Sequence, residues 1–110
     1  MAQLHITNLQ CVRRQDPVGR DETRIQQLVG GGATVISGPH SLGGGDDVDL
    51  NELVTFNGAI TVQLVEEDNG PDDTLGTVVL NAILAGTGNH TTTFGALANA
   101  EYRLTYHVHA

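Results

Sequence analysis

Carboxylate side chains are concentrated in three short stretches of the sequence. All but one of the 13 acidic residues lie in these stretches, and the exception is Glu101. The three groups are Asp16, Asp21 and Glu22; Asp46, Asp47, Asp49 and Glu52; and Glu66, Glu67, Asp68, Asp72 and Asp73. Ca²⁺ accepts roughly six to eight oxygen ligands in flexible geometry, whereas Mg²⁺ requires a stricter octahedron. Crowded carboxylates on loops therefore favour Ca²⁺, with loops that only keep the protein soluble as the alternative.

The elements that must position these acids are predicted to be short strands. Apolar and polar residues alternate at period two, and turn residues interrupt the pattern at short intervals, which is typical of an all-β protein. The predicted strands are 3–11, 22–29, 33–37, 48–56, 59–66, 75–84 and 101–109, with a further short strand at 91–94. The length of 110 residues fits one domain, 1–110. We expect an antiparallel two-sheet β-sandwich of about seven to eight strands.

Local signals predict several turns and buried faces. Asn57-Gly58 is typical of a two-residue β-hairpin, because both residues tolerate the positive φ that a type I′ turn requires. The run Gly30–Gly32 predicts another turn, and residues 38–47 predict a loop. In strand 59–66, Ile60 and its alternate neighbours should face inward and Val65 outward. The inward face of the last strand should consist of Tyr102, Leu104, Tyr106 and Val108.

The directions of the strands predict where the acidic loops lie. If successive strands are antiparallel, the connections after the first, third and fifth strands leave the sandwich at the same end. These are the three connections that contain the acidic stretches. The acids should therefore meet at one end of the sandwich.

Two of the acidic stretches carry motifs of a known family. Residues 16–22 read Asp-Pro-Val-Gly-Arg-Asp-Glu, and residues 66–76 read Glu-Glu-Asp-Asn-Gly-Pro-Asp-Asp-Thr-Leu-Gly. They resemble the Asp…Gly…Asp and Asp-x-Asp…Asp-x-Ile-Gly segments of C2-like calcium-binding β-sandwich domains. The resemblance implies a C2-like fold with Ca²⁺ as the cofactor. The ligands it implies are Asp16, Asp21, Glu66, Asp68 and Asp73. Additional candidate ligands are Glu22, Asp47 and Asp72.

The charge balance limits the class of partner. The formal net charge is −8, and all five basic residues are Arg. Such a chain repels nucleic acid and anionic membranes. Proteins dock on membranes with apolar loop tips and Lys/Arg patches, whereas these loop tips offer only Val18, Pro71 and Leu42 as apolar residues and no Lys. The expected partner is an unidentified protein or a second copy of the chain, not nucleic acid, and a membrane is disfavoured.

Histidine and cysteine residues offer other chemistry. The spacing His107-x-His109 places two imidazoles on one strand face, where His5 from an adjacent strand would complete a site for Zn²⁺, Ni²⁺ or Cu²⁺. An exposed strand face is the favoured interpretation, because spacing alone fixes no third ligand. Cys11, beside Arg13 and Arg14, is either a reactive thiolate or, as we favour, a buried and inert thiol.

No catalytic motif is present in the sequence. The glycine tracts lack the context of a P-loop or dinucleotide fold, and no hydrolase elbow occurs, so we expect no enzyme and no catalytic residues. No signal peptide or transmembrane segment is visible, which predicts a soluble protein that is cytoplasmic or exported without an N-terminal signal. We expect a non-enzymatic calcium-binding module whose ordered loops present a partner-binding or assembly surface. The alternative is a self-assembling structural subunit of a ring, filament or particle.

Overall fold

The computed structural model describes residues 1–14, 21–67, 72–95 and 100–110. Within these ranges the chain forms eight β-strands and one short 3-10 turn. The strands are β1 (Ala2–Arg13), β2 (Asp21–Val29), β3 (Gly32–Leu42), β4 (Asp47–Phe56), β5 (Ala59–Glu66), β6 (Asp73–Asn81), β7 (His90–Phe94) and β8 (Glu101–His109), and the 3-10 turn is Ala82–Leu84. No helix in the described ranges is long and apolar enough to cross a membrane.

The strands form two antiparallel four-stranded sheets. The first sheet has the order β4-β1-β8-β7, and the second has the order β3-β2-β5-β6. Apolar side chains from both sheets join in one core cluster, so the sheets pack face to face. The predicted all-β, two-sheet sandwich is confirmed.

Period-two alternation places the core residues as expected in most strands. In β8 the buried residues are Tyr102, Leu104, Tyr106 and Val108. Leu4 and Ile6 of β1 and Ile60, Val62 and Leu64 of β5 are also buried. Each fully buried Leu or Ile side chain contributes about 1.5–3 kcal/mol to folding. Val65 is a correction, because it is 3% exposed where the pattern predicts an outward residue. The pairing of β5 with β6 shifts register between Leu64 and Val65, and such an irregularity re-aims the side chain.

Two of the local turn predictions are wrong. Asn57-Gly58 connects β4 and β5, which belong to different sheets, so it turns the chain between layers and forms no hairpin. Residues 38–42 belong to β3, so the second acidic connection is much shorter than the predicted loop. A turn signal describes local φ and ψ angles and does not identify the strand that pairs next. The Gly30 turn does join paired strands, since Val29 is opposite Gly32.

The strand ends that flank the three acidic connections lie at one end of the sandwich, as predicted. The backbone N–H of Cys11 donates to Asp46 O at 2.8 Å, which joins the end of β1 to the start of β4. Asp21 at the start of β2 is opposite Leu42 at the end of β3. The backbone N–H of Glu67 donates to Glu22 O at 2.7 Å. We call this end, with connections 14–21, 42–47 and 66–73, the acidic end.

Candidate functional site

Asp21 is anchored in the core beneath the acidic end. Its side chain is fully buried, and the Tyr102 hydroxyl donates a hydrogen bond to Asp21 Oδ2. Burial and this hydrogen bond raise the pKa of Tyr102 far above its usual range, so the phenol stays a donor. The alternation in the last strand predicts that Tyr102 is in the core, but it does not predict the partner of the Tyr102 hydroxyl. The available signal was chemical, because a phenol among aliphatic side chains needs a polar partner.

Glu66 and Asp73 are neighbours across two paired strands. Glu66 is the last residue of β5 and is opposite Asp73, the first residue of β6. On its other side Glu66 is opposite Thr23 of β2. Glu66 is 1% exposed, which is rare for a carboxylate. Two of the predicted ligands are therefore adjacent at the acidic end.

Arg24 crosses the acidic end between two other carboxylates. Its Nη1 atom lies 3.1 Å from Glu67 Oε2 and 2.9 Å from Asp72 Oδ2. Burial acts to lower the pKa of Arg24, but the hydrogen bonds to Glu67 and Asp72 raise it overall. The candidate ligand Asp72 therefore already has a cationic partner in this structure.

The remaining predicted ligands have different positions. Glu22 is exposed, and its backbone carbonyl contacts Glu67 as described above. Asp47 is exposed at the start of β4, and Asn8 Nδ2 donates to its Oδ2 atom at 2.8 Å. Asp16 and Asp68 lie outside the described residues. Of the predicted set, the structure brings Glu66 and Asp73 together, with the strand of Asp21 beside them.

A second group of ligand-type side chains lies toward the opposite end of the first sheet. His5 of β1 is directly opposite His107 of β8, and Gln3 is opposite His109. His5 Nδ1 is 3.1 Å from His107 Nε2, and His5 Nε2 is 2.6 Å from Asn51 Oδ1. We call His5, His107 and His109 the three-histidine cluster. Within the described ranges it is the only set of three His, Cys, Asp or Glu residues arranged closely enough to hold a metal ion.

From the sequence we favoured an exposed strand face for these histidines over a metal site. The sequence does not show that β1 and β8, the first and last strands along the chain, are neighbours in the first sheet. The ring centroids of His107 and His109 are 4.5 Å apart, and those of His5 and His107 are 4.6 Å apart. Strand adjacency therefore supplies the third ring that spacing along β8 does not.

Cys11 is buried in the core, as we expected. It is 0% exposed, and burial raises the pKa of its thiol. The thiolate is the reactive form of cysteine, so burial and the raised pKa both suppress its reactivity.

We expect a thiol reagent to modify Cys11 of the native protein only as fast as the protein unfolds. The thiol should react at once in denaturant. The measurement is the rate of absorbance change with an aromatic disulfide, with and without urea. Rapid reaction of the native protein would contradict the buried position of Cys11.

Comparison with known proteins identifies the fold and not a close relative. No family model matches the sequence, and no curated protein matches it. A solved structure described as a C2 domain matches with a TM-score of 0.60 and 16% identity over 100% of both chains. The C2A and C2B domains of extended synaptotagmin 2 match with a TM-score of 0.63 and 16% identity, covering 97% of this chain and 40% of that one. A calcium-bound structure of the same domains matches with a TM-score of 0.55 and 16% identity, covering 97% of this chain and 44% of that one.

Part of an enzyme also has this fold. Human GIVD cytosolic phospholipase A2 matches with a TM-score of 0.65 and 14% identity, covering 98% of this chain and 16% of that one. The chain therefore spans less than half of the synaptotagmin structures and about a sixth of the phospholipase. These identities are low, so the likeness applies to the fold alone. Together with the two four-stranded sheets, it shows that this chain has a C2-like β-sandwich fold.

Proposed function

We propose that the chain is a non-enzymatic C2-like module that binds Ca²⁺ at the acidic end and presents the ordered loops to a protein partner. The observation that carries the proposal is that the strand ends flanking the three acidic connections lie at one end, with Glu66 directly opposite Asp73. Support for a non-enzymatic role comes from the likeness in fold to a structure described only as a C2 domain.

The chemistry of the donors fits Ca²⁺. The proposed ligands Asp16, Asp21, Glu66, Asp68 and Asp73 are all carboxylates, and Ca²⁺ binds oxygen ligands of this kind. Glu22, Asp47 and Asp72 are the additional candidates. In the part of the chain that the structure describes, the acids alone do not form a close set of three. The proposal therefore needs Asp16 and Asp68, which lie outside that part.

Arg24 would compete with the ion for its ligands. It pairs with Glu67 and Asp72 at 3.1 Å and 2.9 Å, and a guanidinium repels a nearby Ca²⁺. Binding through Asp72 would place the ion close to the Arg24 guanidinium, because Arg24 pairs with Asp72 Oδ2. Asp73 is opposite buried Glu66, so these two carboxylates form the adjacent pair of proposed ligands.

Calcium titration of chelator-stripped protein tests the proposal. We expect a saturable heat signal and a raised melting temperature, because an ion that binds only the folded state stabilises it by about 2.7 kcal/mol at a free concentration a hundredfold above Kd. The same concentrations of Mg²⁺ should produce a much weaker response. The double variant Asp68→Asn/Asp73→Asn should lose both signals.

The control removes the same charge elsewhere. Asp49 and Glu52 are the third and sixth residues of β4 and neither is a proposed ligand. The variant Asp49→Asn/Glu52→Gln also loses two negative charges. It should bind Ca²⁺ as the unmodified chain does. If neither heat nor melting temperature responds to millimolar Ca²⁺, or if both double variants lose binding equally, the calcium site is wrong.

Self-assembly is the second candidate function. Exposed apolar side chains occur on edge strands of both sheets, where Val35 of β3 is 55% exposed, Leu53 of β4 is 53% exposed and Val79 of β6 is 63% exposed. Edge strands with exposed apolar residues are sites for pairing between chains. Light scattering with and without Ca²⁺ separates the candidates, since a monomer in both conditions at high concentration would exclude the assembled subunit.

A further inference from the structure

The three-histidine cluster lies away from the acidic end and has different donor chemistry. Its members lie on adjacent strands, with His5 near the start of β1 and His107 and His109 near the end of β8. Imidazole nitrogen suits Zn²⁺, Cu²⁺ and Ni²⁺, whereas Ca²⁺ prefers oxygen. We propose that His5, His107 and His109 bind one Zn²⁺-class divalent cation, independently of any Ca²⁺ bound at the acidic end.

The distances in the cluster are close to those of a zinc site. Two nitrogens bound to a tetrahedral Zn²⁺ at 2.0–2.1 Å lie about 3.3 Å apart. His5 Nδ1 and His107 Nε2 are 3.1 Å apart, so this pair needs only a small change to share an ion. The ligand atoms of all three residues lie within 4.8 Å of one another. His109 is exposed, and rotation of its side chain brings the third nitrogen to the ion.

A neighbouring amide orients His5 for binding. The His5 Nε2–H group donates to Asn51 Oδ1 at 2.6 Å, which leaves Nδ1 with the lone pair that a metal requires. Ligating histidines usually donate their other ring N–H to an oxygen in this way, and that contact fixes the tautomer. Asn51 of β4 is therefore a positioning residue for the site.

The surroundings of His107 leave its ring available to an ion. Its Nε2 contacts only another member of the cluster in the contacts described above. Its Nδ1 atom is buried and has no hydrogen-bond partner among the described residues. Turning the ring toward an ion thus breaks no hydrogen bond to the rest of the sandwich.

Space for a further ligand lies beside the cluster. A cavity of about 300 Å³ is lined by Gly86, Gly88, Asn89, His107, Val108 and His109. Three protein nitrogens leave the fourth position of a tetrahedral ion open. Water or a small anion from this cavity would complete the coordination.

Calorimetric titration of chelator-stripped full chain with Zn²⁺, in saturating Ca²⁺, tests the site. We expect one Zn²⁺ per chain. His107→Gln should weaken binding more than about a hundredfold, since even the loss of a partner that orients a ligand costs about 10–100-fold. Asn51→Ala should weaken Zn²⁺ binding by about 10–100-fold. Co²⁺ in place of Zn²⁺ should give the visible absorption of a four-coordinate ion.

The matched control replaces a histidine of the other sheet. His40 of β3 contacts Ser37 Oγ through Nε2 at 2.7 Å, and His40→Gln should bind Zn²⁺ unchanged. The acidic-end variant Asp68→Asn/Asp73→Asn should also bind Zn²⁺ unchanged, so failure of the calcium site and failure of this site are distinguishable. Three results would overturn the proposed site. They are no heat of Zn²⁺ binding, an equal loss of Zn²⁺ affinity in His40→Gln and His107→Gln, and a stoichiometry of one Zn²⁺ per two chains.

Discussion

Replacing Gly76 with alanine should lower the free energy of unfolding by about 1–3 kcal/mol, the usual cost of overpacking a core. Gly76 lies in β6 of the second sheet. Because Gly76 has no side chain, Phe94 of β7 packs directly against its backbone. A Cβ atom at Gly76 would overlap the Phe94 ring and lie 2.9 Å from Phe94 Cβ. Phe94 is 3% exposed, so its ring cannot move into solvent without losing its burial. Urea unfolding of the variant measures the loss.

Gly31→Ala is the matched control for this prediction. A Cβ at Gly31 meets nothing within 4 Å, so its effect should stay within about 0.5 kcal/mol, as for most surface changes. The double variant Gly76→Ala/Phe94→Leu should lose less stability than the two single variants lose in sum, because the smaller side chain relieves the overlap. Equal losses for the two alanine variants would refute the packing of Phe94 against β6.

Tyr102→Phe should cost about 1–3 kcal/mol at neutral pH, because buried Asp21 loses the hydroxyl that donates to it. The substitution should also change the alkaline limb of the stability curve. The pKa of Tyr102 is raised in the folded protein, whereas an unfolded tyrosine titrates near about pH 10. The stability that the Tyr102 hydroxyl contributes is therefore fully present below about pH 10. It is lost as the pH rises toward the pKa of Tyr102 in the folded protein. Urea unfolding at neutral and alkaline pH should show a smaller alkaline loss in the variant.

Tyr106→Phe is the control for the tyrosine prediction. The pKa of Tyr106 is raised by burial alone, and its ring stacks on His90 with centroids 5.7 Å apart. This variant should therefore cost less at neutral pH than Tyr102→Phe. An alkaline limb of unchanged slope in Tyr102→Phe would show that the hydroxyl does not keep its proton in the folded state.

The layered architecture could be predicted because it depends on local patterns. Alternation in β8 and β1 assigned Tyr102, Leu104, Leu4 and Ile6 to the core, and strand directions placed the acidic connections at one end. These inferences need only the two-residue period of apolar residues along each strand and the assumption that successive strands are antiparallel. The order of strands within each sheet was not predicted, because pairing between distant strands leaves no mark in a single sequence.

The errors and omissions at the sites have that same origin. Asn57-Gly58 has hairpin chemistry, but β1, and not β5, pairs with β4. His5 and His107 are about as distant in sequence as two strands of this chain can be, yet they face each other across one ladder. The contact of the Tyr102 hydroxyl with Asp21 spans the two sheets. Spacing along one strand carries information about that strand alone.

The pairing of β1 with β8 also has a consequence for the order of folding. Gln3 is opposite His109, so the centre of the first sheet forms only when the two most distant strands of the described chain meet. By contrast, the second sheet is built from residues between Asp21 and Asn81. Closing the longer loop costs more chain entropy, and non-local pairing slows folding. We therefore expect the second sheet to assemble first during synthesis on the ribosome, and the pairing of β1 with β8 to form last.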